Sequence, residues 1–410
     1  MPYYREQWSK RRQKGDSASW EILDNWPILE KATLRDIPEA FVSDDFDRRQ
    51  LHEETTSGTT GQPVRLWFNR DASRSWYALS EARFRRWNGV TRHDRWALLG
   101  AQLVTPVEQK RPPFWVWNRG LSQLYMSAYH LSAETARQYV EALAEHDVRY
   151  LWGHSSALEF LAREILQQRL QAPRLHVVLS SSEPLTLRQR NTIRNAFLCR
   201  VRETYGMTEI AAGASECEHG SLHLWPEVSW TELTDTQRLS SGAVSGDLVS
   251  TGFLNAAMPL IRYRIGDRAA IRTDHACTCG RSLPVVEDIE GRTSDMLFAA
   301  DGRRVSPSSM EIVFDTDLAV HEAQIVQDSL QDIRVRYVPA PGFTDAMGST
   351  VVQRVRERLG DVNVVLEPVE RIPRTKNAKL RAVVCNVTLP LATASGVAKG
   401  IETLLQNQAP

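Results

Sequence analysis

ETTSGTTGQP (residues 54–63) packs two glycines and five hydroxyl side chains into ten positions. Glycine lets backbone N–H groups approach an anion closely, and hydroxyls add further donors. The stretch suits a phosphate-binding turn, and equally a solvated Ser/Thr-rich loop. It is not a Walker loop, because no Gly-Lys-Ser/Thr follows. Its flanks decide how it is read. Downstream, short apolar runs at Trp96–Leu99, Val148–Trp152, Leu175–Leu179 and Val201–Thr204 read as strands. Helical stripes lie between them, as at Leu158, Leu161 and Ile165. Thr186 and Gln189 have the spacing of a capping box that opens a further helix. Strand alternating with helix predicts a layered α/β domain. Residues 1 to about 50 read as a helical lead-in carrying no legible chemistry.

From about residue 291 the texture changes. Ile333, Val335 and Tyr337 alternate with arginines, Val351, Val355 and Leu359 form a helical stripe, and Val362, Val364 and Leu366 alternate again. The expected division is a large N-terminal domain over residues 1–290 and a small α+β domain over 291–410. The tail beyond Leu389 has no legible role.

Five further segments follow the loop in order: SSEPL (181–185), ETYGMTE (203–209), IRYRIGD (261–267), EGRTSDML (290–297) and IPRTKNAKLR (372–381). Together they resemble the adenylate-forming superfamily of acyl-CoA synthetases, adenylation domains and luciferases, most of all its phenylacetate–CoA ligase branch. The resemblance runs from about residue 50 to 385. It implies an α/β fold with a small, mobile C-terminal domain and an active site in the cleft between the two domains. It implies ATP-dependent activation of a carboxylic acid, aromatic by analogy with the branch, as an acyl-AMP, followed by transfer to the thiol of CoA.

Residue by residue, the resemblance implies a phosphate loop at Thr56, Ser57, Gly58, Thr59, Thr60 and Gly61. Ser182, Glu183 and Pro184 would lie beside the adenine. Thr204, Tyr205, Gly206 and Met207 would line the nucleotide, Thr208 would meet the α-phosphate, and Glu209 would hold magnesium. Asp267 would bind the ribose, with Arg292 near it, and Lys379 would be the mobile lysine that reaches the reacting carboxylate and α-phosphate. Three positions depart from the pattern. Gln62 stands where the loop usually has Lys, Ala378 where Gly precedes the lysine, and Ser294 where the hinge carries an acidic residue or lysine. Lys376 is a second candidate for the mobile lysine. The chemistry suits these residue types. Joining two anions is chiefly an electrostatic problem, so fixed donors, a magnesium ion and a lysine matter more than a general base.

Cys217 and His223, with Cys277 and Cys279, make two ligand pairs suited to a tetrahedral, structural zinc. Some relatives in the branch carry such a cluster. His219 rivals His223 as the fourth ligand, and free thiols near a surface loop are the alternative. Trp152 and His154, in LWGHSS, read as acyl-pocket neighbours or as core residues with satisfied hydrogen bonds.

Composition narrows the rest. Fifty basic and fifty acidic side chains cancel, which argues against a nucleic-acid partner. No apolar run reaches the roughly 18–20 residues of a membrane span. Five cysteines in 410 residues do not make a disulfide framework, and no secretory leader is evident, so a cytoplasmic enzyme is expected. A small carboxylic acid is the expected partner, and a carrier protein and a homodimer are both compatible. Two other functions fit the same residues. One is an adenylating ligase with a carrier-protein, amine or hydroxyl acceptor. The other is a degenerate, non-catalytic nucleotide-binding protein.

Overall fold

The computed structural model describes residues 1–16, 22–56, 63–272, 277–314, 318–375 and 379–387, with the side chains of 311 and 312 left aside. Ser57, Gly58, Thr59, Thr60, Gly61, Gln62, Lys376, Ala378 and the tail beyond Leu389 therefore lie outside the described residues. The fold is mixed α/β, with a sheet-rich N-terminal region and a separate C-terminal domain. Two compact units emerge. Among the described residues, one holds Met1–Arg92 and Arg202–Glu287, and the other holds His93–Val201 and the chain from Asp288 onward.

In the second unit, strands Val177–Ser181, Tyr150–His154, Trp96–Gly100 and Gln123–Ser127 lie side by side and parallel. Trp115–Asn118 adds an antiparallel edge. All four strand runs expected from the sequence are present, two of them shifted by two residues toward the C-terminus. Their apolar continuity follows from burial on both faces, as parallel sheets require. Helix Ser155–Gln167 supplies the crossover from one parallel strand to the next. It buries Leu158, Leu161 and Ile165 against the sheet core. The next helix, Leu187–Phe197, opens on the expected capping box. Thr186 Oγ1 accepts from the Gln189 amide at 3.1 Å, and Gln189 Oε1 accepts from the Thr186 amide at 3.0 Å.

The C-terminal domain has its own core, built from Leu297 to Val383. Strands run in the order Asn363–Pro368, Asp332–Pro339, Val320–Gln327, Val383–Cys385. Helix Asp345–Leu359 buries Val351, Val355 and Leu359 against them. The strand–helix–strand pattern at 332–368 matches the alternation in the sequence.

The first unit is largely antiparallel. Ser229–Arg238, Val244–Gly252 and Tyr263–Arg272 form a meander. The lead-in is an integral part of this unit. Tyr4 is buried among Phe41 and Trp26, and its hydroxyl donates to the Pro259 carbonyl and accepts from the Ile261 amide. Arg262, itself buried, pairs with Glu232 at 2.9 Å and donates to the carbonyls of Asp24 and Trp26.

Candidate functional site

Within the first unit, hairpin His52–Thr55/Arg65–Phe68 carries the loop quoted above. Thr56 closes its base. Its amide donates to the Val64 carbonyl, and its hydroxyl oxygen accepts from the Val64 amide, both at 2.9 Å. Among the described residues, no hydrogen bond takes the hydroxyl proton.

Strand Arg200–Gly206 delivers the next motif. Thr204 spends its hydroxyl on the Ala214 carbonyl across the ladder, at 2.8 Å. Tyr205 donates its phenol to Asp267 Oδ2 at 2.7 Å. Two motif residues separated by 62 positions thus meet directly. A register shift in the meander makes this contact available. Asp247 pairs with Arg268 but Val249 pairs with Arg264, so the intervening segment bulges. Gly266 occupies that bulge at φ +90°, a conformation costly for any residue with a Cβ. Gly206 is needed for close packing. A Cβ there would meet the Trp76 indole at 3.1 Å. Met207 and Thr208 follow half-buried.

Glu209 is 7% exposed. Its Oε1 accepts from Lys31 Nζ and from the Tyr263 hydroxyl, each at 2.9 Å. Burial, then the adjacent Glu209 charge, holds the Tyr263 phenol protonated far above its usual range. Lys31 was not legible as a site residue. It lies in the lead-in, in a helix start that looks like any solvated surface. Tyr263 had only its place beside Arg262 and Asp267 to mark it.

The cysteine and histidine cluster forms as expected, in the same unit. One ligand atom from each of Cys217, His223, Cys277 and Cys279 lies within 4.8 Å of every other. His223, not His219, completes the four. A tetrahedral zinc with metal–sulfur bonds of about 2.3 Å has sulfur–sulfur edges of about 3.8 Å. Cys217 Sγ and Cys277 Sγ are 3.8 Å apart, and Cys279 Sγ lies 3.4 Å from His223 Nε2. The thiols are free, and that separation is far beyond a disulfide bond. Burial pushes the Cys217 thiol up to about 11. Burial also raises Cys277, but hydrogen bonds from Ser221, Cys279 and His223 outweigh it and bring that thiol down to about 6. The other ring nitrogen of His223 faces the Leu283 carbonyl at 3.3 Å, the kind of outer contact that orients a ligating imidazole. The donor set and its spacing fit zinc.

Within the second unit, strand Val177–Ser181 ends in Ser182 at φ +72°, then Glu183 and the exposed Pro184. Both oxygens of the Glu183 carboxylate are engaged. Oε2 accepts from the Ser156 amide at 2.9 Å, in the first turn of helix Ser155–Gln167, and Oε1 accepts from the Leu380 amide at 2.7 Å. The Ser155 hydroxyl donates to the Glu183 carbonyl at 2.9 Å. SSEPL therefore meets the C-terminal lysine motif directly, across 197 positions. Lys379 is half-buried, its carbonyl and amide bonded to Thr375 at 2.9 and 3.2 Å. Arg292 is half-buried at the end of strand Val285–Arg292. Ser294 donates to the neighbouring Asp295, which also pairs with Arg381 at 2.7 Å.

Trp152 donates its indole N–H to the Ser181 hydroxyl at 2.9 Å. His154 departs from the satisfied core histidine, because its Nδ1 is buried with no hydrogen-bond partner among the described residues. Burial lowers its pKa, the Glu183 charge opposes that shift, and the Lys379 ammonium adds to it.

Comparison with known proteins bears on the family and the fold. Residues 49–241 match the model of the AMP-binding enzyme family, and residues 297–386 match the CapK C-terminal domain. Taken together, the comparisons support the adenylate-forming superfamily and, within it, the phenylacetate–CoA ligase-like branch. It is 25% identical to Protein CapK of Staphylococcus aureus over 94% of this chain and 85% of that protein. It is 29% identical to a phenylacetate–coenzyme A ligase of Thermus thermophilus, over 57% of this chain and 58% of that enzyme. The fold is shared with 2-hydroxyisobutyryl-CoA ligase in the postadenylation state, with a TM-score of 0.70 at 20% identity, covering 94% of this chain and 85% of the other. Among the described residues, no helix is long and apolar enough to cross a membrane.

Proposed function

We propose that the protein activates a small carboxylic acid, aromatic by analogy with its branch, as an acyl-AMP and passes the acyl group to CoA. The carrying observation is the meeting of SSEPL with the Lys379 segment, which suits a lysine poised for the first half-reaction. In that step a carboxylate oxygen bonds to the α-phosphorus of ATP while the bond to pyrophosphate breaks. In the second, the CoA sulfur bonds to the acyl carbon, AMP leaves with the electron pair of the broken C–O bond, and the thiol proton passes to solvent.

In this reading Tyr205 and Asp267 hold the nucleoside, with Arg292 near the ribose. Thr56 and Thr208 donate to phosphate oxygens, and Lys379 steadies the charge that builds on carboxylate and α-phosphate. The second carboxylate oxygen of Glu209, which has no hydrogen-bond partner among the described residues, suits magnesium, which would spread the phosphate charge when bound. Zinc at Cys217, His223, Cys277 and Cys279 would be structural, since four protein ligands leave no open position. The retained lysine and carboxylate weigh against a degenerate nucleotide binder.

A second reading changes the acceptor. Of the two relatives above, the one that spans more of the chain is not named a CoA ligase. A carrier-protein thiol, an amine or a hydroxyl would then take the acyl group. ATP–pyrophosphate exchange over a panel of aromatic and small aliphatic acids tests adenylation. Exchange with at least one acid, abolished by Lys379→Ala, is expected. CoA-dependent AMP release then separates the two acceptors. An enzyme that binds ATP but exchanges with no acid would exclude both.

A further inference from the structure

We infer that Glu183 is a positioning residue for Lys379, docking the lysine segment for acyl-adenylate formation. The inference deepens the adenylating reading and rests on it. A lysine side chain is a point charge on a flexible four-carbon stem, and holding it in one place costs rotamer entropy. The structure restrains its backbone instead. The Lys379 amide and carbonyl are tied to Thr375, within the same turn. The next amide, that of Leu380, is tied to Glu183 in the α/β body of the same unit. A carboxylate accepting from a backbone N–H makes a stronger bond than a neutral acceptor.

The other oxygen of Glu183 reaches the first turn of helix Ser155–Gln167, where the helix dipole favours negative charge. One carboxylate therefore spans two amides that only the fold brings together. Arg188 supplies a second tie between the same regions, donating to the carbonyls of Val320 and His321 at 3.1 Å, and among the described residues it does not touch the lysine segment. General docking and lysine placement are thus carried by different residues and can be separated. The Leu380 bond must break whenever Lys379 withdraws for the second half-reaction.

The test uses the full chain with Glu183→Gln, Glu183→Asp and Arg188→Ala. Gln turns an N–H toward one of the two amides. Asp keeps the charge but is one methylene too short to span both. Two rates are compared: pyrophosphate exchange, and thioester formation from supplied acyl-adenylate and CoA. A misplacement of about 1 Å can cost about 100-fold in rate. In both Glu183 variants the exchange kcat should fall about 10- to 100-fold. The ratio of exchange to thioester formation should fall at least about tenfold. Arg188→Ala should leave that ratio within about twofold of wild type. Hydrogen exchange at the Leu380 amide, read by mass spectrometry, should quicken in Glu183→Gln. Equal loss in both half-reactions, or unchanged protection of Leu380, would overturn the inference. A wild-type enzyme without exchange on any acid would instead overturn the adenylating reading, while Leu380 protection would still report whether Glu183 holds the segment.

Discussion

The contact between Lys31 and Glu209 joins the lead-in to the ETYGMTE motif, and removing it has a calculable cost. Lys31→Met deletes the ammonium and keeps most of the aliphatic stem. A hydrogen bond to a charged group contributes about 1.5–3 kcal/mol net. The Lys31 side chain is 36% exposed and that of Glu209 only 5%, so water can replace part of the contact from the lysine side. The expected loss is therefore at the low end, about 1–2 kcal/mol. Glu209 does not fall idle, because Tyr263 still donates to Oε1. Glu209→Gln, made alone, strands the ammonium and should cost a similar amount. Once both are changed the pair no longer exists, so the double variant should be more stable than the sum of the two losses predicts. The expected coupling is about 1 kcal/mol, well above the roughly 0.3–0.5 kcal/mol scatter of independent sites. Urea unfolding of the four proteins at neutral pH, without added magnesium, gives the cycle. Strictly additive losses would refute the claim that Lys31 balances the Glu209 charge, and with it the place given to the lead-in in this site.

Two further outcomes follow from the geometry. Protein purified without chelator should carry about one zinc per chain, and Cys277→Ser should release it and lower Tm; metal analysis finding no zinc would refute the cluster as a metal site. His154 has a folded-state pKa depressed below its ordinary value near 6.5, so the unfolded chain takes up the proton first. Its contribution to stability is full above about 6.5 and is lost as pH falls from there toward the depressed value, so His154→Gln should flatten the loss of stability between about pH 6.5 and 5. Parallel pH profiles of the urea midpoint for the two proteins would show that the histidine has no part in it.

Much of the architecture was legible in the chain because it rests on short-range physics. The parallel strands announce themselves as apolar runs, since both faces are covered. The helix after Thr186 announces itself by a capping box whose two bonds close within four residues. The 332–368 unit shows its alternation of periods, because each element buries one face against a single core. The order of the motifs and the four zinc-suited ligands were equally readable, since residue type and spacing are properties of sequence. The choice of His223 over His219 was not. Spacing allows either, and only His223 lies on the strand Leu222–Leu224, which turns its imidazole toward the cysteines.

What tertiary structure alone decided is the set of partners each polar group meets. Lys31 reaches Glu209 across 178 positions, and Glu183 reaches Leu380 across 197. No periodicity encodes such contacts, because a hydrogen bond depends on where two backbones pass in space. Glu183 thereby acquires a use that its place in SSEPL did not suggest. His154 loses the satisfied environment expected for a histidine among core residues. The chain determined which chemical groups are available and in what order. Topology determined which of them are buried, paired or left with an open valence, since those properties belong to neighbours distant in sequence.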